Sequence, residues 1–386
     1  MENRKSSLPF LEVIEGLKNL KRAGWVEREV PEPESVSDHM YRMAWFCIAH
    51  PELESEHMDK AILMCLIHDI GETTAGDITP ADGIDAKTKH IREKLGVQFL
   101  SLLLKPSNPY WASKMVELWD EYEEGATRVA KLVHQIDKLE CLHQALIYLK
   151  RHQGKTDFQK SFASFKELRK KISDPWLSAD ADAILAEWNA LTNKEQQAST
   201  NVVFVIGGPG VGKGTLCARI AEDLNFTHVS VGDLLREEKD NPASEFGSFI
   251  RESFQESVIV PPYLTTRLLK DRVQAIQSQN RGVLVDGFPR SIEQAVAFER
   301  EISDTYMTVC LECSPETMIK RVQARSGSSN RDDDDLVTLK KRLATFSSTN
   351  DAIVKHLSKN KMARVDAARS SDEVFTSVRE LLVREL

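Results

Sequence analysis

Nine consecutive residues, Gly207 to Thr215 (GGPGVGKGT), combine the residue types needed to grip a phosphate. Gly207, Gly208, Gly210, Gly212 and Gly214 let backbone N–H groups close around phosphate oxygens. Lys213 adds a point charge suited to β- and γ-phosphates. The apolar run VVFVI lies directly before the loop, and GTLCARIAEDL opens with its last glycine and Thr215. A loop of this kind needs that strand–loop–helix setting, because the helix N-terminus adds partial positive charge. A glycine turn that binds nothing is the bland alternative, and strand, lysine and helix in register argue against it.

A second constellation lies far upstream. LIHDIGE places His68, Asp69 and Glu72 within five residues. On a helix, residues three and four apart share a side, so the three can face one way. His39 is followed at helical intervals by Met43, Phe46, Cys47 and His50, which puts it on or near an apolar face. Asp137, in KLVHQIDKLE, follows Val133 by four and Ala130 by seven and also points inward. A lone inward carboxylate is costly without a partner. A divalent cation shared by His39, His68, Asp69 and Asp137 would satisfy all four. Two histidines and two aspartates suit Mn²⁺, Fe²⁺, Co²⁺ or Zn²⁺. Taken singly, each histidine reads more simply as a hydrogen-bonded core residue; the pattern raises the metal reading.

The elements that must carry these residues differ between the halves. SVSDHMYRMAWFCIAH, DKAILMCLIHDIGE, ATRVAKLVHQIDKLECLHQALIYLK and FQKSFASFKELRKKI repeat apolar residues at helical spacing. Downstream, short β-branched runs alternate with helical stretches: VVFVI, GTLCARIAEDL, THVSV, DLLREE, GVLVDG. That alternation predicts a parallel sheet covered on both faces. The polar stretch Thr192 to Thr200 separates the patterns. The expected organisation is an all-α domain over 1–191, a linker at 192–200 and an α/β domain over 201–386.

With 386 residues, 41% hydrophobic and 28% charged, the chain is long enough for two globular domains. Its net charge of −8 argues against nucleic acid as the main partner. No run reaches the ~18–20 apolar residues of a membrane span, and the first ten residues lack an export signal. The cytoplasm is the default location, with the nucleus open. Six cysteines are scattered; Cys310 and Cys313 lack the second ligand pair of a zinc site and read as ordinary thiols on a strand.

GGPGVGKGT resembles the nucleoside-monophosphate kinases, which include adenylate and UMP/CMP kinases. The resemblance continues through VSVGDLLREE and VLVDGFPRSIEQA and covers essentially all of 201–386. It implies that Arg236 and Arg290 bind the acceptor monophosphate, that Asp286 belongs to the same segment, and that Gln294 meets the acceptor base. RSGSSNRDDDDLVTLKKR supplies Arg325, Arg331 and Arg342 and resembles the short lid of the UMP/CMP branch. DGFPRSIEQAVAFERE is similar to fungal uridylate kinases. The implied substrates are ATP with Mg²⁺ and UMP or CMP, with AMP also open. Lys213, Arg290, Arg325, Arg331 and Arg342 would neutralise charge during transfer, the lid excluding water. Ser257 stands where the family usually has glycine, which touches acceptor preference and rate.

ESVSDHMYRMA, HDIGETTAGDITPAD and QIDKLE resemble the HD-domain metal phosphohydrolases, and among them the 5′-deoxynucleotidases, over roughly 8–190. The resemblance implies an HD helical bundle that removes phosphate from (deoxy)nucleoside 5′-monophosphates, with Mg²⁺ added to the candidate cations. Glu72 would act as acid or base and Asp77 would orient the phosphate or sugar. Trp25 holds the place of a nucleoside contact or is a core tryptophan; Arg28 is a further phosphate candidate. A homodimer through the HD half follows by analogy. The leading expectation is a bifunctional enzyme, a 5′-deoxynucleotidase joined to a monophosphate kinase. The alternatives are a kinase with a non-catalytic HD sensing or dimerisation module, and a hydrolase with a kinase half that only binds nucleotide.

Overall fold

A computed structural model describes residues 6–152, 156–192, 202–256, 258–277, 281–303, 306–326 and 336–385. Residue contacts divide the chain into two compact units, Met1–Gln196 and Gln197–Leu386.

Among the described residues the first unit is helical, apart from one antiparallel bridge between Lys21 and Ser35. Its helices are α1 (Leu8–Ile14), α2 (Gly16–Asn19), α3 (Ala23–Val26), α4 (Val36–Ala49), α5 (Ser55–Cys65), α6 (Glu72–Ala75), α7 (Ala86–Leu104), α8 (Pro109–Glu124), α9 (Arg128–Arg151), α10 (Thr156–Phe162) and α11 (Pro175–Thr192). Local chemistry fixes the starts. Ser35 and Asp38 form a capping box on α4, Asn108 and Thr127 cap α8 and α9, and left-handed Gly125 closes α8. Helix α9 is buried along most of its length and packs against α4, α5, α8 and α11. Those four helices lie on it, and it carries Asp137.

Two local expectations change. Helix α5 ends at Cys65, so His68 and Asp69 lie on tight turns, and Glu72 opens α6. The three are therefore not on one helix face. FQKSFASFKELRKKI divides into α10 and a 3-10 helix at Ala163–Lys171. The tighter winding accompanies packing of Phe162 and Phe165 around Trp25.

The second unit is built on five parallel strands: β1 (Val202–Ile206), β2 (Phe226–Ser230), β3 (Gly282–Asp286), β4 (Met307–Glu312) and β5 (Lys361–Asp366). Their order is β2-β3-β1-β4-β5. All five residues of β1 are buried, as expected of a central parallel strand covered on both faces. Around the sheet lie α12 (Lys213–Asp223), α13 (Val231–Asp240), α14 (Gly247–Glu256), α15 (Pro262–Gln277), α16 (Ile292–Glu301), α17 (Pro315–Ser326), α18 (Leu336–Leu357) and α19 (Ser371–Glu385). Two apolar clusters occupy its two faces. Cys310 belongs to one and Cys313 packs on the other, so the two thiols face apart. In such sheets ligands bind beyond the carboxyl ends of the strands, where connections diverge. Here that place is the end of β1, between β3 and β4. No helix among the described residues is long and apolar enough to cross a membrane.

Candidate active sites

In the helical unit, α4, the turn after α5, and α9 bring His39, His68, Asp69 and Asp137 together. One ligand atom each from His39, His68 and Asp137 lie within 4.8 Å of one another. Asp69 Oδ2 is 3.1 Å from Nε2 of His68 and 4.0 Å from Nε2 of His39. Asp137 Oδ1 is 3.4 Å from Nε2 of His39. Both imidazoles are buried, and although carboxylate oxygens stand this close, neither Nε2 makes a well-formed hydrogen bond. Nδ1 of His68 donates to the Cys65 carbonyl at 2.9 Å, which directs its Nε2 at the cluster. Buried polar atoms without partners call for an explanation, and one cation held by two imidazole nitrogens and two carboxylates supplies it. The donor set fits a first-row divalent ion.

Charge in this pocket is finely divided. Burial raises the Asp137 carboxyl, but His39, Lys138 and His68 outweigh it and hold Asp137 well below the usual carboxylate range. Asp69 is likewise lowered, burial being outweighed by His68 and Arg22. Burial and Arg22 push His39 down, yet Glu140 and Asp137 bring it up to about 9. Glu72 goes the other way: burial, then the charges of Asp69 and Asp77, raise its carboxyl well above the ordinary value. A buried carboxyl raised in this way beside ionised ones is suited to donating a proton.

A glycine pair sets the turn. A Cβ on Gly96 of α7 would meet the Gly71 carbonyl at 2.6 Å, and one on Gly71 would meet the Glu93 carbonyl at 2.5 Å. The two backbones approach this closely only without side chains. Trp119 Nε1 donates to the His68 carbonyl at 3.1 Å and braces the turn from α8. Gly96→Ala is expected to push α7 away, destabilising the helical unit by about 1–3 kcal/mol. Denaturant unfolding of the full chain, compared with the wild type, checks this.

The structure decides between the two readings of Trp25 and redirects the arginine reading. Trp25 is a core tryptophan: it stacks on Phe165, meets Tyr148 and Phe162 edge-on, and donates to Glu34. Arg28 donates to the carbonyls of Gly24 and Ser161 and lies over the Phe165 ring, away from the cluster. The arginine that does reach the pocket is Arg22, 3.1 Å from Asp69 and 3.9 Å from Asp77. It precedes a short helix and has no periodicity to announce it; its place three residues before Trp25 was the available signal. Asp77 accepts from Ala23 N–H at 2.8 Å, which ties the Arg22 segment to the pocket. Lys138 binds the second oxygen of Asp137 at 2.6 Å.

In the sheet unit the phosphate loop leaves β1 at Gly207. Gly210 has φ +81°, and a Cβ there would meet the Met318 carbonyl at 2.6 Å. Lys213 Nζ donates to the carbonyls of Gly207 and Gly208 at 2.8 and 2.9 Å. Burial, opposed by Asp286 and aided by Arg290 and Arg342, pulls Lys213 down to about 8. Gly212 and Gly214 are exposed, and Thr215 is exposed on the first turn of α12. Gly208 is buried against Met318.

The loop opens on a cleft of about 1180 Å³, open mouth included, lined by Lys213, Arg236, Arg290, Gln294 and Arg342. Arg236 donates to Asp233 at 2.6 Å and Arg290 to the Gly287 carbonyl at 3.0 Å. Gln294 is buried: its carbonyl accepts from Arg290 N–H and its amide donates to the Val260 carbonyl. It therefore holds the cleft wall together, with its second lone pair and second N–H left for other contacts. Asp286, at the end of β3, lies beside Gly214. Arg325 lies in the last turn of α17, and its side chain, like Arg331, Ser257 and residues 193–200, lies outside the described residues.

A family model described as "HD domain" matches residues 14–176, and one described as "Adenylate kinase" matches 205–362. The chain is 36% identical over 184 residues to a uridylate kinase of Saccharomyces cerevisiae, an alignment covering 47% of this chain and 90% of that protein. It is 39% identical over 180 residues to a uridylate kinase of Schizosaccharomyces pombe, covering 45% and 93%. With a UMP-CMP kinase of Homo sapiens it shares 39% identity over 191 residues, covering 48% and 97%. The chain thus belongs to the adenylate kinase family, in company with uridylate and UMP-CMP kinases, and carries an HD domain ahead of that kinase domain.

Proposed function

We propose that the chain is a bifunctional enzyme of nucleotide metabolism, phosphorylating a pyrimidine nucleoside monophosphate with MgATP and hydrolysing (deoxy)nucleoside 5′-monophosphates. The observation that carries the second activity is the convergence of His39, His68, Asp69 and Asp137, with both imidazole Nε2 atoms facing the carboxylates and neither making a well-formed hydrogen bond. The first rests on the loop and arginine-lined cleft together with the named relatives.

In the kinase half, catalysis is positioning and charge neutralisation. The loop N–H groups and Lys213 grip the donor phosphates, displacing the Lys213 contacts to Gly207 and Gly208. Arg236 and Arg290 orient the acceptor phosphate. Arg342, with Arg325 and Arg331 on the lid segment, neutralises the group in transfer. The linker starts at residue 193 rather than 192, since Thr192 closes α11, and runs to residue 200.

In the HD half, His39, His68, Asp69 and Asp137 would hold the cation. When bound, it supplies Lewis-acid activation of water and of the phosphoryl group. Arg22 binds the anionic phosphate at the edge of the pocket and Asp77 fixes the Arg22 segment. Glu72, whose carboxyl is pushed up by burial and by the charges of Asp69 and Asp77, would give its proton to the leaving nucleoside oxygen.

A panel of ribo- and deoxynucleoside monophosphates, with and without MgATP and with Mn²⁺ or Co²⁺ added, tests the reading. Diphosphate is expected with UMP or CMP only when ATP is present, and inorganic phosphate from deoxy monophosphates only with the metal. Release of no phosphate from any of them would leave the HD half as a binding or dimerisation module.

A further inference from the structure

Glu140 is not part of the four-residue set, yet its carboxylate is completely buried on α9, three residues after Asp137. Its Oε2 stands 2.6 Å from Nδ1 of His39, while Nε2 of the same ring faces Asp137 at 3.4 Å. Its Oε1 is 3.0 Å from Nη1 of Arg42. Arg42 follows His39 by three residues on α4 and is itself held, donating to Gln144 and lying 3.0 Å from Nδ1 of His143. Each helix thus presents an i, i+3 pair on one side, and the pairs interlock: His39 and Arg42 from α4, Asp137 and Glu140 from α9.

A fully buried carboxylate is costly, and an apolar side chain of similar size would often pack there at no loss of stability. Its chemistry accounts for its presence. A carboxylate opposite Nδ1 keeps the proton on that nitrogen, so the lone pair of Nε2 points at the cluster and gains basicity. The second imidazole is oriented by a neutral group, the Cys65 carbonyl at 2.9 Å from Nδ1 of His68. Of the two rings, only His39 has a charged orienting group on Nδ1 among the described contacts.

We propose that Glu140 is a positioning residue for the metal centre. It fixes the tautomer and orientation of His39 and strengthens its Nε2 as a ligand, with Arg42 anchoring the far carboxylate oxygen. This rests on the metal-hydrolase reading above and adds two residues to it. Glu140→Gln keeps the shape and a hydrogen-bond acceptor but removes the charge.

The full-length chain, stripped of metal, is titrated with Mn²⁺ calorimetrically, and its unfolding is followed with and without Mn²⁺. E140Q is expected to bind Mn²⁺ about tenfold more weakly, and the Mn²⁺-induced rise in unfolding temperature should shrink by more than the metal-free unfolding temperature falls. Kinase turnover should be retained, and the metal-free unfolding transition reports on the fold of the helical unit. Equal Mn²⁺ affinity in E140Q and wild type would overturn the positioning role while leaving the metal site standing. A wild-type chain that binds no Mn²⁺ would overturn the metal reading itself, and the proposal with it. Should E140Q not fold, Arg42→Gln carries the test, since it keeps the Glu140–His39 contact and removes the anchor. Weaker Mn²⁺ binding supports the proposal and unchanged binding overturns it.

Discussion

Replacing Lys213 by alanine is expected to lower ATP-dependent diphosphate formation by about a thousandfold or more, with phosphate release from monophosphates unchanged. The reason is positional. Lys213 is the cation inside the loop, its ammonium already within hydrogen-bond reach of two loop carbonyls where donor phosphates would lie. Arg236, Arg290 and Arg342 line the adjoining cleft and are guanidinium groups too extended to enter the loop in its place. Alanine leaves the strand, the glycines and α12 as they are. A coupled assay for ADP, run beside a phosphate assay on the same preparation, reads both arms. Near-normal diphosphate formation would mean that the loop does not hold the transferred phosphate.

Asp69→Ala should produce the opposite pattern. Phosphate release is expected to fall by about a thousandfold, bound metal should drop well below one ion per chain, and kinase turnover should persist. Asp69 Oδ2 stands within 3.1 Å of both His68 Nε2 and Arg22 Nη1, so its loss removes a ligand and frees the arginine nearest the pocket. His68→Ala should act in the same direction. Elemental analysis and a phosphate assay measure the two effects. Undiminished hydrolysis in D69A would move the chemistry away from this cluster. Silencing of both activities in a folded variant would contradict independence of the two sites.

How much of this could be read from residues alone depended on whether the chemistry was contiguous. The phosphate loop is nine residues in a row, and strand, loop and helix follow one another locally, so it was fully legible. The four metal candidates are spread from His39 to Asp137; helical spacing turns His39 and Asp137 inward, and α4, the turn after α5, and α9 bring the four together. The geometry around His68 was not legible. A regular helix through His68–Glu72 fits the spacing, but the close approach of Gly71 to α7 ends α5 early, and that is a tertiary contact. Arg22 and Arg28 are equivalent in sequence. Only the fold turns one toward Asp69 and the other onto Phe165 and backbone carbonyls. Trp25 was ambiguous for a similar reason: three aromatic neighbours from distant segments decide that it is core. Glu140 carried a faint signal, three residues beyond Asp137, but its partner His39 is about a hundred positions away.

On the proposed reading, one chain handles phosphate at two separate centres, by fixed cations in one half and by a histidine–aspartate-held ion in the other. It is tested most directly by a ³¹P NMR time course on a single wild-type sample given MgATP, Mn²⁺, UMP and a deoxynucleoside monophosphate. Diphosphate and inorganic phosphate resonances are expected to grow together, with K213A removing only the first and D69A only the second. A spectrum in which inorganic phosphate never rises above the level of a metal-stripped control would contradict it.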